Sequence, residues 1–155
     1  MEYLSGHQEE EAVTWMNEAA RVARGALCLA TKCGTVIVKD GAIIGEGYNG
    51  PPLDKTEGRI CGEEIGPSTC VHSEWRAIFD ALRNNPEKIK GSKLYFVRVD
   101  EEGDTKRSGN PTCTVCSRMA LDVGIDKFLL WHKEGIGEYG TGEYNRLSYE
   151  HTSEK

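Results

Sequence analysis

Between Glu9 and Lys32 small and apolar residues return every three or four positions: Ala12, Met16, Ala19, Ala20, Ala23 and Leu27. That spacing collects them on one face of a helix. Glu9, Glu10 and Glu11 stand near its start, where negative charge favours a helix N-terminus. A face so rich in alanine predicts close packing on a sheet, with Trp15 at its buried edge. Residues 1–8 carry no period and read as a loose start.

The rhythm then shortens. Thr35 to Asp40 is β-branched, Asp40-Gly41 is a hairpin-turn pair, and Ala42 to Tyr48 reads as the return strand. Asn49-Gly50-Pro51-Pro52 ends it. Residues 51–70 show no period and are rich in glycine and proline. A long irregular stretch inside a domain carries function or needs an anchor. Val71 to Asn84 is again helical, with Ile78, Ala81 and Leu82 spaced for burial and Asn84-Asn85-Pro86 as the stop.

Leu94 to Val99 reads as a strand, and residues 100–110 as polar turns. Cys113 to Val123 reads as a third helix, with Met119, Ala120 and Val123 on one side and Gly124 at its end. Phe128 to Trp131 is a strongly apolar strand. Strand, helix and strand at this spacing predict a parallel crossover and an α/β fold. After His132, glycines alternate with charges and tyrosines, and no further apolar strand is expected. Segment 133–155 reads as a short helix around Glu143 to Tyr149, or as a flexible or lid-forming tail. The chain is expected to form one domain over 1–155.

Composition narrows the function. The 155 residues suffice for a proper core. With 19 basic against 25 acidic residues, the net charge of −6 argues against a nucleic-acid binder, though not against a local basic pocket. No apolar run approaches membrane-spanning length. The start of the chain lacks the basic-then-apolar pattern of a signal peptide. Six cysteines in that setting point to thiols or metal ligands in a cytoplasmic protein.

Two segments carry chemistry. His72-Ser73-Glu74 places an imidazole and a carboxylate in the first turn of the second helix. Cys113-Thr114-Val115-Cys116 places two thiols at the start of the third, where the helix dipole favours thiolate. Together they supply three candidate zinc ligands and one uncommitted acid, the combination a catalytic zinc needs. Alone, either segment is a weak signal; a CxxC also occurs in redox motifs and structural zinc sites.

These segments, as His72-Ser73-Glu74 followed by Pro111-Thr112-Cys113-Thr114-Val115-Cys116, resemble the signature of the zinc-dependent cytidine and deoxycytidylate deaminases. Gly34 to Gly41, then Gly47-Tyr48-Asn49-Gly50-Pro51-Pro52, look most like the deoxycytidylate branch. The resemblance spans roughly residues 12–132. It implies a three-layer α/β/α fold around a mixed sheet, and a homo-oligomer. It implies hydrolytic deamination of a cytosine-containing substrate of the dCMP-to-dUMP type. Another small nucleoside or nucleobase, or a non-catalytic zinc-stabilised interaction module, is the alternative.

By the same resemblance His72, Cys113 and Cys116 hold Zn2+ and Glu74 is the proton carrier. Asn49 would contact base or sugar; as a residue it reads equally well as part of a turn. Arg76 stands where the nucleotide-directed branch commonly has asparagine, and either grips a substrate phosphate or pairs with an acid inside the fold. Cys28, Cys33, Cys61 and Cys70 are left for a second, structural zinc, as in some members of the branch, or are ordinary buried thiols. Thr112 separates the family's proline from the first cysteine, and the family's fifth strand has no obvious counterpart.

Overall fold

A computed structural model describes residues 1–57, 70–107 and 109–153. The elements run β1 (Glu2–Tyr3), α1 (Gly6–Ala23), β2 (Lys32–Lys39), β3 (Ala42–Tyr48), α2 (Ser73–Asn84), β4 (Lys93–Val99), β5 (Thr105–Lys106), α3 (Thr114–Asp122), β6 (Lys127–His132), β7 (Gly135–Gly140) and α4 (Thr141–Ser153). The strands form one sheet in the order β1-β7-β6-β4-β2-β3, with β5 beside the end of β4. Only β4 and β6 are parallel, joined across α3 as the crossover predicts; the other pairs are antiparallel.

One face of the sheet carries α1. Met16, Ala19 and Ala23 pack on Val36, Tyr95, Val97 and Leu129. The other face carries α2, α3 and α4 over Ile37, Leu94, Phe128 and Leu130. The result is the three-layer α/β/α arrangement around a mixed sheet. Glycine sets how closely the layers approach. A Cβ on Gly34 would run into the Ala19 carbonyl of α1, and one on Gly45 or Gly47 into the α2 backbone at Ala77. Alanine on the helices and glycine on β2 and β3 are thus one packing device.

The hairpin is as the sequence predicts. Asp40 and Gly41 both have positive φ, 50° and 74°, as a two-residue primed turn requires. Between Ile37 and Val38 the register shifts, leaving Ile44 as the extra residue of a bulge; its side chain joins the α2-side core.

Several expectations are corrected. The first helix ends at Ala23, not Lys32, with Arg24 as its cap. Leu27 keeps the helical spacing, but its N–H bonds the Asn49 carbonyl at 3.1 Å. That bond draws residues 26–31 out of the helix and into a wall beside β2. The start of the chain is not loose: β1 pairs with β7, and Leu4 N–H bonds the Ile136 carbonyl. A strand does follow His132. In β7 only Ile136 and Tyr139 supply large buried side chains; the glycines between them mask the strand pattern, and Gly137 leaves room for the His132 ring. Segment 133–153 is strand and helix packed on the sheet. On α2, Ile78 and Ala81 are buried with Ala77, whereas Leu82 is 43% exposed. No helix among the described residues is long and apolar enough to cross a membrane.

Candidate active site

Two helix starts meet beside β2 and β4. The segment entering α2 is held by a two-way backbone bridge, Gly50 N–H to Val71 O at 3.2 Å and Val71 N–H to Gly50 O at 2.7 Å. His72 is then the N-cap of α2, with extended backbone and no side-chain capping bond. Its ring is free to turn elsewhere and stacks on Trp75, with centroids 4.3 Å apart and planes 5° from parallel. Cys113 is the N-cap of α3, and its sulfur does cap, accepting the Cys116 N–H at 3.3 Å.

These placements bring the ligands together. His72 Nδ1 lies 3.2 Å from Cys116 Sγ and 3.5 Å from Cys113 Sγ. A carboxylate oxygen of Glu74 completes a group whose ligand atoms all lie within 4.8 Å of one another. Glu74 is 5% exposed. Ser73, fully buried, donates its hydroxyl to Glu74 Oε1 at 2.8 Å, and its oxygen lies 2.9 Å from Thr35 Oγ1 of β2.

The electrostatics favour a cation. The Cys113 thiol is driven well below its ordinary range by the hydrogen bond from Cys116, reinforced by His72. Burial drives Cys116 up, and its contact with Cys113 adds to this. Without a metal one proton is therefore shared across a thiolate–thiol pair. His72 is raised, chiefly by its bond to Cys113. A thiolate, a second thiol poised to lose its proton and an imidazole nitrogen are a zinc donor set, and binding would release the protons. The residues fit the metal.

The group forms the floor of a cavity of about 550 Å³, in the range of small-molecule sites. Phe96 and Arg98 of β4, Asn110 and Thr112 of the loop before α3, and Tyr144 of α4 line it too. The sequence reading missed Tyr144, Phe96 and Arg98. Tyr144 is 3% exposed and stacks on Phe128 at 4.0 Å. Asn145 of α4 donates to the Ser117 hydroxyl at 3.0 Å and so ties α4 to the helix that carries the thiols. No motif marks Tyr144, because α4 follows a glycine-rich strand with a weak apolar pattern.

The remaining candidates fare differently. Asn49 is buried and lines the cavity, yet its amide bonds outward. Oδ1 accepts the Cys33 N–H at 2.8 Å and Nδ2 donates to the Thr31 carbonyl at 2.9 Å. Arg76 does not line the cavity. It pairs with Asp54 at 2.8 Å, donates to the Pro51 carbonyl at 2.7 Å and lies over the Tyr48 ring. The structure gives its charge a partner inside the fold. Cys28, Cys33 and Cys70 are buried and line the cavity. Cys61 lies outside the described residues. Among the described residues only the His72, Glu74, Cys113 and Cys116 group gathers three or more metal-ligating atoms. Burial and the nearby Glu74 charge push the Cys33 thiol up to about 11.

A mixed sheet between helix layers, with an HxE and a CxxC meeting at two helix starts, defines a zinc-centred α/β protein. The family of the cytidine and deoxycytidylate deaminase zinc-binding region matches residues 9–131, and the chain belongs to that family. The deoxycytidylate deaminase of Schizosaccharomyces pombe is 31% identical over 129 residues, covering 76% of this chain and 35% of the relative. This chain therefore spans about a third of that relative's length. The dCMP deaminase of cyanophage S-TIM5, in complex with dCMP and dUMP, superposes with a TM-score of 0.58 at 26% identity. That match covers 81% of this chain and 82% of the phage protein. The cytidine deaminase of Burkholderia pseudomallei shares the fold, with a TM-score of 0.59 at 16% identity over 90% of this chain and 96% of its own.

Proposed function

We propose that this chain hydrolytically deaminates a cytosine nucleotide, dCMP to dUMP, with His72, Cys113 and Cys116 holding zinc and Glu74 moving the protons. The observation that carries it is Glu74 itself: a buried carboxylate against an imidazole-and-two-thiol donor set, on the floor of a cavity of nucleotide size. The deoxycytidylate relative and the phage enzyme, solved with dCMP and dUMP, support the nucleotide as substrate.

Bound zinc supplies a Lewis acid that makes water a nucleophile at neutral pH. The chain's residues do the rest. Glu74 accepts the proton of the attacking water and passes it to the ring nitrogen beside the amino-bearing carbon. A C–O bond forms at that carbon, the C–N bond breaks, and Glu74 helps the amino group leave as ammonia. Ser73, donating to Glu74 Oε1, holds the carboxylate in place and leaves its other oxygen for this traffic. Phe96 and Tyr144 offer aromatic surface to the base. A cytoplasmic homo-oligomer acting on a free nucleotide, not on nucleic acid, fits this reading and the −6 charge.

Parallel kinetics of the zinc-loaded protein on dCMP, deoxycytidine and cytosine test it. The highest kcat/KM is expected for dCMP. Ammonia release from none of the three would overturn the proposal.

A further inference from the structure

Arg98 stands on the rim of the cavity. It leaves β4 on the same face as Phe96, two residues further along, and both line the cavity. In register, Phe96 faces Thr35 and Arg98 faces Cys33. Thr35 touches Ser73, the neighbour of Glu74. One two-residue strand repeat therefore separates the level of Glu74 from that of Arg98, about 7 Å of backbone. Glu74 and Cys33 are buried and Arg98 is exposed, so this direction runs from floor to mouth.

Two further cations lie in β5 and directly after it. Lys106 is the β5 partner of Arg98 and shares its face. Arg107 follows, its guanidinium 4.5 Å over the ring of Trp131, which packs on the α1 side of the sheet. Among the described residues none of the three is in an ion pair, whereas Arg76 is. The chain carries six more acidic than basic residues, 25 against 19. Arg98 on the cavity lining and Lys106 beside it are thus two cations outside any ion pair, although the turn that joins their strands carries Asp100, Glu101, Glu102 and Asp104.

We propose that Arg98, reinforced by Lys106, is the subsite for the phosphate of a nucleotide whose base lies over Glu74. The proposal rests on the deaminase reading above and assigns its phosphate specificity. A nucleotide has its reacting ring carbon and its 5′-phosphate at opposite ends of base and sugar. The cavity has its proton carrier and the Arg98 guanidinium, which lies 5.9 Å over the Phe96 ring, in the same order, floor and mouth. A guanidinium binds phosphate through two parallel N–H donors, a geometry lysine cannot reproduce. A nucleoside reaching the same floor leaves Arg98 in water.

The test compares wild-type, Arg98→Ala and Arg98→Lys proteins, all zinc-loaded. Calorimetric binding of dUMP and of deoxyuridine is measured beside turnover of dCMP and deoxycytidine. Arg98→Ala should weaken dUMP binding roughly ten- to a hundredfold, as for loss of a charge-assisted contact. It should raise KM for dCMP in step with kcat little changed, and leave both nucleosides within about twofold. Arg98→Lys should recover part of the loss. Equal effects on nucleotide and nucleoside, or no effect on either, would overturn the subsite and leave the reaction standing. Dependence of dUMP binding on Arg98 in a protein that deaminates nothing would support the subsite and reject the reaction.

Discussion

Ser73 donates to Glu74 Oε1 at 2.8 Å, and Thr35 lies 2.9 Å behind Ser73. A serine hydroxyl has one proton. Since that proton goes to the carboxylate, Thr35 is the donor in the second bond. Two fully buried hydroxyls, from α2 and β2, thus fix the orientation of the acid that the mechanism needs.

Removing the acid and removing its support should differ in size. Glu74→Gln keeps the shape of the side chain and is expected to lose about 100- to 10,000-fold in kcat. Ser73→Ala leaves the carboxylate but frees its rotamer, and is expected to lower kcat about tenfold with KM nearly unchanged. Both should retain zinc, because neither residue is assigned as a ligand. Steady-state kinetics and elemental analysis on the same preparations check this. Zinc loss in Glu74→Gln would place Glu74 among the ligands instead.

Cys113→Ser and Cys116→Ser should each remove the metal. A hydroxyl is a poor zinc ligand beside thiolate, and the Cys113 sulfur also caps α3 through the Cys116 N–H. Zinc per chain should fall by one equivalent in either variant. A helix content unchanged by circular dichroism would separate ligand loss from unfolding. Full retention of zinc in both would refute the donor set.

Arg76 and Asp54 yield a pH dependence with a definite sign. The Tyr48 hydroxyl, and after it Arg76, hold the Asp54 carboxyl below its ordinary value of 3.8. A carboxyl lowered on folding stabilises the protein above its unfolded value, and that contribution is lost as pH falls through the folded one. Asp54 is 43% exposed, so the pair is worth only about 0.2–1 kcal/mol. Asp54→Asn should therefore unfold slightly more easily than wild type at pH 7, with the difference fading as pH falls below 3.8 and gone once it passes the lower folded value. Denaturant midpoints at the two pH values measure it. Arg76→Ala, in contrast to Arg98→Ala, should alter KM for nucleotide and nucleoside by the same factor.

Much of this was legible in the sequence, for identifiable reasons. A β-branched run and Asp40-Gly41 marked the hairpin, because a primed turn admits few residue pairs. His72, Glu74, Cys113 and Cys116 were legible because metal chemistry restricts both residue type and spacing. Where the reading failed, a tertiary contact had overridden a local pattern. Leu27 keeps helical spacing but bonds Asn49 across the cavity wall. In β7 glycines stand where apolar side chains usually advertise a strand. For Arg76 the sequence left open a phosphate or an acid inside the fold, and the chain between Gly50 and Asp54 folds back to supply the acid. Arg98 and Tyr144 carry no local signal, since only the pairing of β4 with β2 and the packing of α4 bring them to the cavity.

The separation of the ligands along the chain has one more effect. His72 and Cys113 are 41 residues apart, and the stretch between them holds α2, β4 and β5. An ion held by both closes that stretch into a ring. The entropy that an open chain would recover on unfolding is thereby restricted, as with a crosslink across a long loop. α2 rests on β3 with glycine at its closest approach, and α3 rests on α4, so the ring joins the hairpin side of the sheet to the crossover side. Extracting the metal would reopen the ring as well as remove the nucleophile's activator. A chelator should then act on this protein as a mild denaturant and an inhibitor in one step.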